Sequence, residues 1–419
     1  MTKKQRVHLD KLEQFVGIIA RMSPTSIDAS DDELEGSVAM LNWLIDQAKF
    51  IQKGSGAVSD KSRIEWTEST WTPIRARNLN TGKVGWYCEH ASDGCRFCYA
   101  EGMNNRLGTG LPFKPGHRSR DIEIFLDEKM LLAPLRWRKP RMIFVCSMTD
   151  LFADFVRDEW IDRVFAMMAL APQHTFQVLT KRAERMRQYL NAEDVYYRIH
   201  SSRAQLYDGP DREPFAWPIP NVWIGVSAER QKEADERIPH LLATPSAVRF
   251  VSLEPLLGPI DIRQWMHSYG CGCGWGGQPL DYCNECGWRG SADGEIGVAT
   301  CPEGHLLSDY NACPECDGHD GDGMSFGPNS NRLNWVIVGG ESGPNARPFD
   351  IDWADALIKQ CRAAGVPVFM KQLGSLPYSD GRPMHSTPRG KYSEPTEWPE
   401  RLRFREIPNA MLESRMADR

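Results

Sequence analysis

No apolar run in this 419-residue chain approaches the roughly 18 residues that a membrane-spanning helix needs; the longest, such as 142–146 and 335–338, stop at the length of a strand. No membrane segment is expected. The first residues, Met1-Thr2-Lys3-Lys4-Gln5-Arg6, are basic but lead into charged amphipathic sequence, not into an apolar stretch with a small-residue cleavage site. No secretory signal is read there, and a cytoplasmic location is expected. An excess of positive charge is missing too: 50 Lys and Arg face 56 Asp and Glu, for a formal net charge of -6. That argues against a chain that is basic throughout and coats nucleic acid, while leaving room for a local basic face. The dinucleotide fingerprint G-x-G-x-x-G does not follow the first strand candidate. What remains is an ordinary globular composition, 41% hydrophobic and 25% charged, long enough for one large domain with additions or for several domains.

Cysteine is what the chain has in a pattern. Of twelve, seven fall between 271 and 316 and three between 88 and 98. Without a secretory signal, such clustering reads as metal binding in a reducing compartment, not as a disulfide framework. The first cluster runs Tyr87-Cys88-Glu89-His90-Ala91-Ser92-Asp93-Gly94-Cys95-Arg96-Phe97-Cys98-Tyr99 and puts three thiolates on one short loop. A structural zinc site closes with four protein ligands, whereas three leave a coordination position open. An iron-sulfur cluster is normally ligated four times by the protein, so three thiolates would leave one iron free for chemistry. The next cysteine, Cys146, sits in an apolar run well away in sequence.

The rest of the chain falls into five stretches. In residues 1–60, Leu9, Leu12, Phe15, Val16 and Ile19, then Leu34, Val38, Leu41, Leu44, Ile45 and Ala48, recur at helical spacing. They read as a two-helix extension that ends at the Gly54-Ser55-Gly56 linker, with self-packing favoured over partner binding. Residues 61–258 alternate short apolar strand candidates (71–74, 142–146, 175–179, 222–226, 248–253) with helical stretches such as 158–170. The alternation resumes in 333–375 with strands at 335–338 and 366–370 and a helix capped by Asp352. Such a pattern predicts an α/β fold with a parallel sheet, and at this strand count a complete or partial (β/α) barrel ahead of an open doubly wound sheet. Polar residues follow most strands: Ser147 and Asp150, Thr180 and Lys181, Ser227 and Glu229, Glu254, Glu341 and Ser342, and Lys371. Barrel enzymes carry their chemistry at those ends, although each residue taken alone is as readily a helix cap. Residues 376–419 read as a C-terminal extension wrapping the barrel.

Residues 259–332 break the alternation with dense glycine and four ligand pairs, Cys271 and Cys273, Cys283 and Cys286, Cys301 and His305, Cys313 and Cys316. Seven thiolates and one imidazole suit two tetrahedral zinc sites, and so little apolar sequence would need metal to fold. The repeats Cys-Gly-Trp and Cys-Pro-Glu favour sequential pairing, Cys271, Cys273, Cys283 and Cys286, then Cys301, His305, Cys313 and Cys316. Interleaved pairing, His319 in place of His305, and a second iron-sulfur cluster are the alternatives. Residues 102–141 hold nine Lys or Arg against four Asp or Glu and end Arg136-Trp137-Arg138-Lys139-Pro140-Arg141. That stretch is either a phosphate-contacting patch or a solvated helix end.

The C-x2-C end of the first cluster, with Phe97 before its last cysteine, resembles the end of the radical S-adenosylmethionine motif, with six residues in the first spacing where that motif usually has three. With Ile64-Glu65-Trp66-Thr67, Thr70-Trp71-Thr72-Pro73, Ser147-Met148-Thr149-Asp150-Leu151-Phe152, Leu179-Thr180-Lys181-Arg182, Trp223-Ile224-Gly225-Val226-Ser227, Ser252-Leu253-Glu254-Pro255 and Val338-Gly339-Gly340-Glu341-Ser342, the chain is similar to a phage and prophage three-cysteine-motif family. The resemblance implies a barrel of radical type with Cys88, Cys95 and Cys98 on a [4Fe-4S] cluster. It also implies S-adenosylmethionine as cofactor, Phe97 beside it, and several of Ser147, Asp150, Lys181, Ser227, Glu254, Gly339, Gly340 and Glu341 as its ligands. An external electron donor and a nucleic acid or nucleotide substrate complete the expectation. The competing reading is a zinc-stabilised nucleic-acid or protein-binding module on a catalytically silent barrel, with a histidine such as His90 joining the three cysteines on zinc. For the insert, Cys286→Ala is expected to make residues 259–332 selectively sensitive to limited proteolysis; unchanged cleavage would refute the zinc reading.

Overall fold

In the computed structural model of the chain, which describes residues 62, 64–114, 120–206, 214–266, 281–282, 289–290, 332–343, 345–384 and 390–408, Pro73 decides where the first strand stops. Strand β1 covers Ser69–Trp71, and β2, Ile74–Asn78, starts a separate antiparallel sheet with β3, Val84–Gly85, and β4, Ile122–Leu126. The single strand expected over 71–74 is therefore two. Proline has no N–H for a ladder and fixes its own φ, so the chain turns there.

The main sheet continues through β5, Met142–Val145, β6, Thr175–Thr180, β7, Val222–Ser227, and β8, Val248–Leu253. The short antiparallel pair β9, Asp281–Tyr282, and β10, Arg289–Gly290, lies within the cysteine-rich insert. The sheet then takes β11, Trp335–Gly339, and, past β12, Phe349–Asp350, ends at β13, Val368–Gln372. A small sheet of β12, β14 (Pro377–Ser379) and β15 (Arg382–Pro383) follows. The seven main strands lie in the order β1-β5-β6-β7-β8-β11-β13, every pair parallel. A doubly wound sheet would reverse its order at a switch point. This one runs through in chain order and curls as a half-barrel, so the partial form of the expected α/β barrel is the one found. Its outer edge at β13 is covered by the C-terminal extension, where Met370 N donates to Phe404 O (2.7 Å) and Glu406 N to Val368 O (3.0 Å).

Residue alternation sorts the two faces. One set, including Val145, Val178, Ile224, Val251, Val338 and Met370, packs in the same core as the helices. Those helices are the short α2, Glu128–Leu131, α3, Asp158–Ala169, α4, Ala183–Leu190, α5, Val195–Leu206, α6, Gln231–Leu242, and α7, Ile351–Ala363, whereas the earlier α1, Tyr99–Leu107, packs through Ala100 in a separate small cluster with Tyr87, Phe113 and Met148. Of these, α3, α4, α6 and α7 each bury an apolar stripe. The cap of α7 is Asp350, whose carboxylate accepts from Asp352 N (3.0 Å), rather than Asp352 as expected. The alternate set, Met142, Phe144, Trp223, Val248, Phe250, Trp335, Ile337 and Phe369, meets Trp66 in an aromatic cluster. Trp335 sits at its centre, with ring centroids of Trp66, Trp223, Phe250 and Phe369 at 6.3, 5.9, 5.7 and 6.1 Å. Gly225 admits no side chain, because a Cβ there would lie 2.6 Å from the Phe250 ring.

These apolar residues occupy the beginnings and middles of their strands. The last inward positions, Ser227, Gly339 and Lys371 with Lys181 and Glu254 just beyond, carry polar side chains or none. The plug thus fills the N-terminal end of the concave face and leaves a polar mouth at the C-terminal end.

The chain divides between Val58 and Ser59, and the described residues belong to the second unit. The helical pair expected in 1–60 and the zinc ligands expected at Cys271, Cys273, Cys283, Cys286, Cys301, His305, Cys313 and Cys316 lie outside them. Among the described residues no helix is long and apolar enough to cross a membrane. Trp335→Ala is expected to cost about 3–5 kcal/mol, the usual range for emptying a large buried aromatic site; a fall in the urea midpoint at unchanged slope measures it.

Candidate active site on the cysteine loop

Residues 88–98 leave β3 and reach α1 through a tight turn at Asp93–Cys95, where Cys95 N donates to Ser92 O (3.0 Å). Cys98 then occupies the N-cap of α1. All three thiols are free and half-buried. Burial pushes the Cys88 thiol well up; the Asp150 carboxylate adds to this and the Arg182 guanidinium opposes it. Cys98 is raised by burial too, partly offset by the N–H groups of Glu101 and Ala100 at the helix start and by the Lys181 ammonium. Apolar burial against nearby cations gives thiols that stay protonated alone and are turned toward positive charge.

The loop is held by the ends of the parallel strands. After β7, the buried Glu229 carboxylate accepts from Ser92 Oγ through Oε1 (2.9 Å), pairs with Lys181 through the same oxygen, and meets Arg237 through Oε2 (3.3 Å). Burial alone would raise the Glu229 pKa, but Lys181 and Arg237 outweigh it and hold the group below the usual carboxylate range. Gly94 lies against this carboxylate, and a Cβ there would come within 2.1 Å of Oε1. Asp93 Oδ2 accepts from Arg230 (2.7 Å) and from Arg347 (2.9 Å), and Arg347 in turn pairs with Glu341 (2.7 Å). Arg182 donates to Glu89 O (2.8 Å) while pairing with Asp150 (3.0 Å). Loops after β6, β7 and β11 therefore converge on one stretch.

The residues expected at a cofactor are brought to this mouth, though several already have partners. Asp150 is saturated, accepting from Thr180 Oγ1 (2.7 Å), Lys181 N (3.0 Å), Arg182 (3.0 Å) and Phe152 N (3.0 Å). Glu341 is taken by the Arg347 side chain and backbone. Phe97 stands between two guanidinium groups, Arg96 at 5.4 Å and Arg347 at 5.5 Å. Ser147 offers its carbonyl to the Tyr99 hydroxyl (2.7 Å), and the carbonyl of buried Ser227 accepts from Arg237 (2.7 Å). Glu254 pairs with Lys371 (2.5 Å), and its carboxylate carbon lies 3.4 Å from where a Gly339 Cβ would stand. Gly340 is enclosed by the chain: a Cβ there would meet Leu373 O at 2.1 Å, and its N–H and carbonyl are both engaged by Gln372.

Three other placements differ from the sequence reading. Cys146, set apart in sequence, ends β5 in the left-handed region (φ 55°), is 2% exposed, and its thiol is raised by burial with added effect from Asp150 and Cys88. A fourth thiol therefore lies in the neighbourhood of Cys88. His90 does not turn to the cysteines; its Nε2 is 2.8 Å from Glu101 Oε2. The basic stretch ending at Arg141 precedes β5, with the Arg141 guanidinium over Trp137 (4.9 Å) and 3.3 Å from Ser69 Oγ at the start of β1. Arg141 and the residues just before it thus lie at the strand starts, the end of the sheet opposite the cysteine loop, whereas the first residues of the stretch form α1 directly after Cys98. Arg182, Arg230, Arg237 and Arg347 were not singled out from sequence. Only Arg182 and Arg230 had a signal, each following a polar strand end.

Among the described residues, no three His, Cys, Asp or Glu side chains converge on the position of a single metal ion. Fold and site together define a parallel α/β half-barrel protein with a three-cysteine loop across its C-terminal mouth. Over residues 61–401 the chain matches the family described as protein of unknown function (DUF5131), and it belongs to that family. No curated protein and no solved structure matches it.

The fit of Gly94 against Glu229 is open to test. Gly94→Ala is expected to unseat the loop and speed proteolysis within 88–98, and adding Glu229→Ala should relieve the clash without restoring the Ser92 bond. Equal protection in wild type and Gly94→Ala would refute the contact.

Proposed function

We propose that the chain is a radical S-adenosylmethionine enzyme, kin to the phage and prophage three-cysteine-motif proteins its motifs resemble. The observation that carries this reading is the placement of three free thiols on one loop at the C-terminal mouth of a parallel half-barrel, facing Lys181 and Arg182. Barrel chemistry sits at that end. The donor set fits the group: thiolates are the ligands of a [4Fe-4S] cluster, and in a cluster each thiolate takes its own iron, so the three need not meet at one point. Cations beside them offset the charge of a thiolate set that burial alone disfavours.

When bound, the cluster and S-adenosylmethionine supply one-electron cleavage to methionine and a 5′-deoxyadenosyl radical that abstracts hydrogen from a substrate. The chain's own part is positioning and exclusion of water and oxygen. Cys88, Cys95 and Cys98 hold iron. Glu254, Lys371, Ser227 and Gly339 line the floor of the mouth, where the charged ends of the cofactor would replace or join the Glu254–Lys371 pair. Lys181, Asp150 and Glu341 support the loop rather than reaching the cofactor, and Phe97 is held at the rim. The zinc insert, an electron donor and a cytoplasmic setting belong to the same proposal.

A nucleic acid or nucleotide remains the proposed substrate class, supported by the family resemblance and the insert and no longer by residues 136–141. For the competing zinc-module reading, His90 Nε2 lies 2.8 Å from Glu101 Oε2, and metal analysis separates the two readings.

Anaerobic purification with iron, sulfide and zinc analysis tests the proposal. Wild type is expected to carry iron and sulfide with a brown chromophore and to cleave S-adenosylmethionine reductively. Cys98→Ala should lose both while staying folded, and Cys146→Ala should keep both. Zinc alone in wild type, or full iron in Cys98→Ala, would overturn it.

A further inference from the structure

Two cations share one carboxylate beneath the cysteine loop. Lys181 and Arg237 both pair with Glu229, which is 0% exposed, and Arg237 is itself 3% exposed with its Nε unpartnered. The neighbouring pair Arg182 and Asp150 balances itself. Within these ion pairs three cations stand against two carboxylates. On the same helix Glu233 is buried one turn before Arg237 with its Oε2 unpartnered, and no ion pair between them occurs among the described residues. Buried charge that is not matched locally is costly and needs a partner. Lys181 is tied to the cysteine loop through Glu229, which it pairs with and which also accepts from Ser92 Oγ (2.9 Å), and the loop thiols feel both cations, Cys98 that of Lys181 and Cys88 and Cys95 that of Arg182.

We propose that Lys181 and Glu229 are positioning residues that set the electron affinity of the metal group held by Cys88, Cys95 and Cys98, an inference that rests on the functional reading above. When a one-electron donor from outside reduces that group, its charge falls by one and no bond forms or breaks. A fixed ammonium in a low-dielectric site stabilises the more negative state and makes reduction easier. Glu229 works against this by one negative charge, and its bonds to Ser92 and Lys181 fix the distance between ammonium and loop. The two side chains therefore act on the potential with opposite sign.

The test is a potentiometric titration of the anaerobically prepared holoprotein, read by the paramagnetic signal of the reduced state, with iron stoichiometry measured on every sample. Lys181→Met is expected to shift the midpoint potential negative, Lys181→Arg to restore it, and Glu229→Gln to shift it positive. Should Lys181→Met fail to hold iron, Lys181→Arg and Glu229→Gln still decide the matter: the first must match wild type and the second must exceed it. Potentials that do not move, or that move in one direction for both charge changes at full iron content, overturn this inference alone. A wild-type protein without iron overturns the functional reading and this inference with it.

Discussion

The Glu229 carboxylate is the contact on which the mouth of the half-barrel depends. A carboxylate taken wholly out of water costs several kcal/mol unless other groups satisfy it, and here Lys181, Arg237 and the Ser92 hydroxyl do so. Those three come from the ends of β6, from α6 and from the cysteine loop, so satisfying one charge fixes three segments at once. The absence of a side chain at Gly94 lets the loop approach closely enough to take part. A second chain of charge, Arg230 to Asp93 to Arg347 to Glu341, spans from the loop after β7 to the turn after β11. Together they stretch the loop across the opening of a sheet that does not close on itself.

Below that layer the concave face changes character along the strands. Parallel sheets are usually buried on both faces, and this one achieves it on the inside with aromatic side chains around Trp335 and with Trp66 from the segment before β1. The plug leaves the first half of each strand dry and rigid. Polar groups then appear together at the last inward positions, where Lys371 and Glu254 satisfy each other beside the small Gly339. A layer of paired charge thus stands directly on a packed aromatic one.

Charge placement carries a lesson about linear sequence. The run of arginines at 136–141 is the densest basic feature in its region, yet it precedes β5 and therefore belongs to the far end of the sheet. The arginines that do reach the mouth, Arg182, Arg230 and Arg347, are scattered singly along the chain and met only through folding. Each is committed to a carboxylate. The mouth is accordingly a lattice of paired charge, not a basic surface.

Much of the scaffold was legible in the sequence because it follows from local periodicity. The apolar runs of β5, β6, β7, β8 and β11, the helices between them and the parallel order all derive from short-range pattern. So does the grouping of Cys88, Cys95 and Cys98, since eleven residues cannot separate far. Where a single residue overrides the pattern, as Pro73 does in splitting the first strand or Asp350 does in capping α7 two residues earlier than Asp352, periodicity alone misplaces the boundary. Only the tertiary structure decided which polar strand ends pair across the floor of the mouth and which are consumed in holding the loop. Asp150 and Glu341 look like Glu254 in sequence, but their lone pairs are spent on Arg182 and Arg347, residues that come near only when the strands curl. It also brought Cys146 beside Cys88 and carried Arg141 away. Those outcomes depend on which ends of the strands meet in space, a long-range property that no window of neighbouring residues contains.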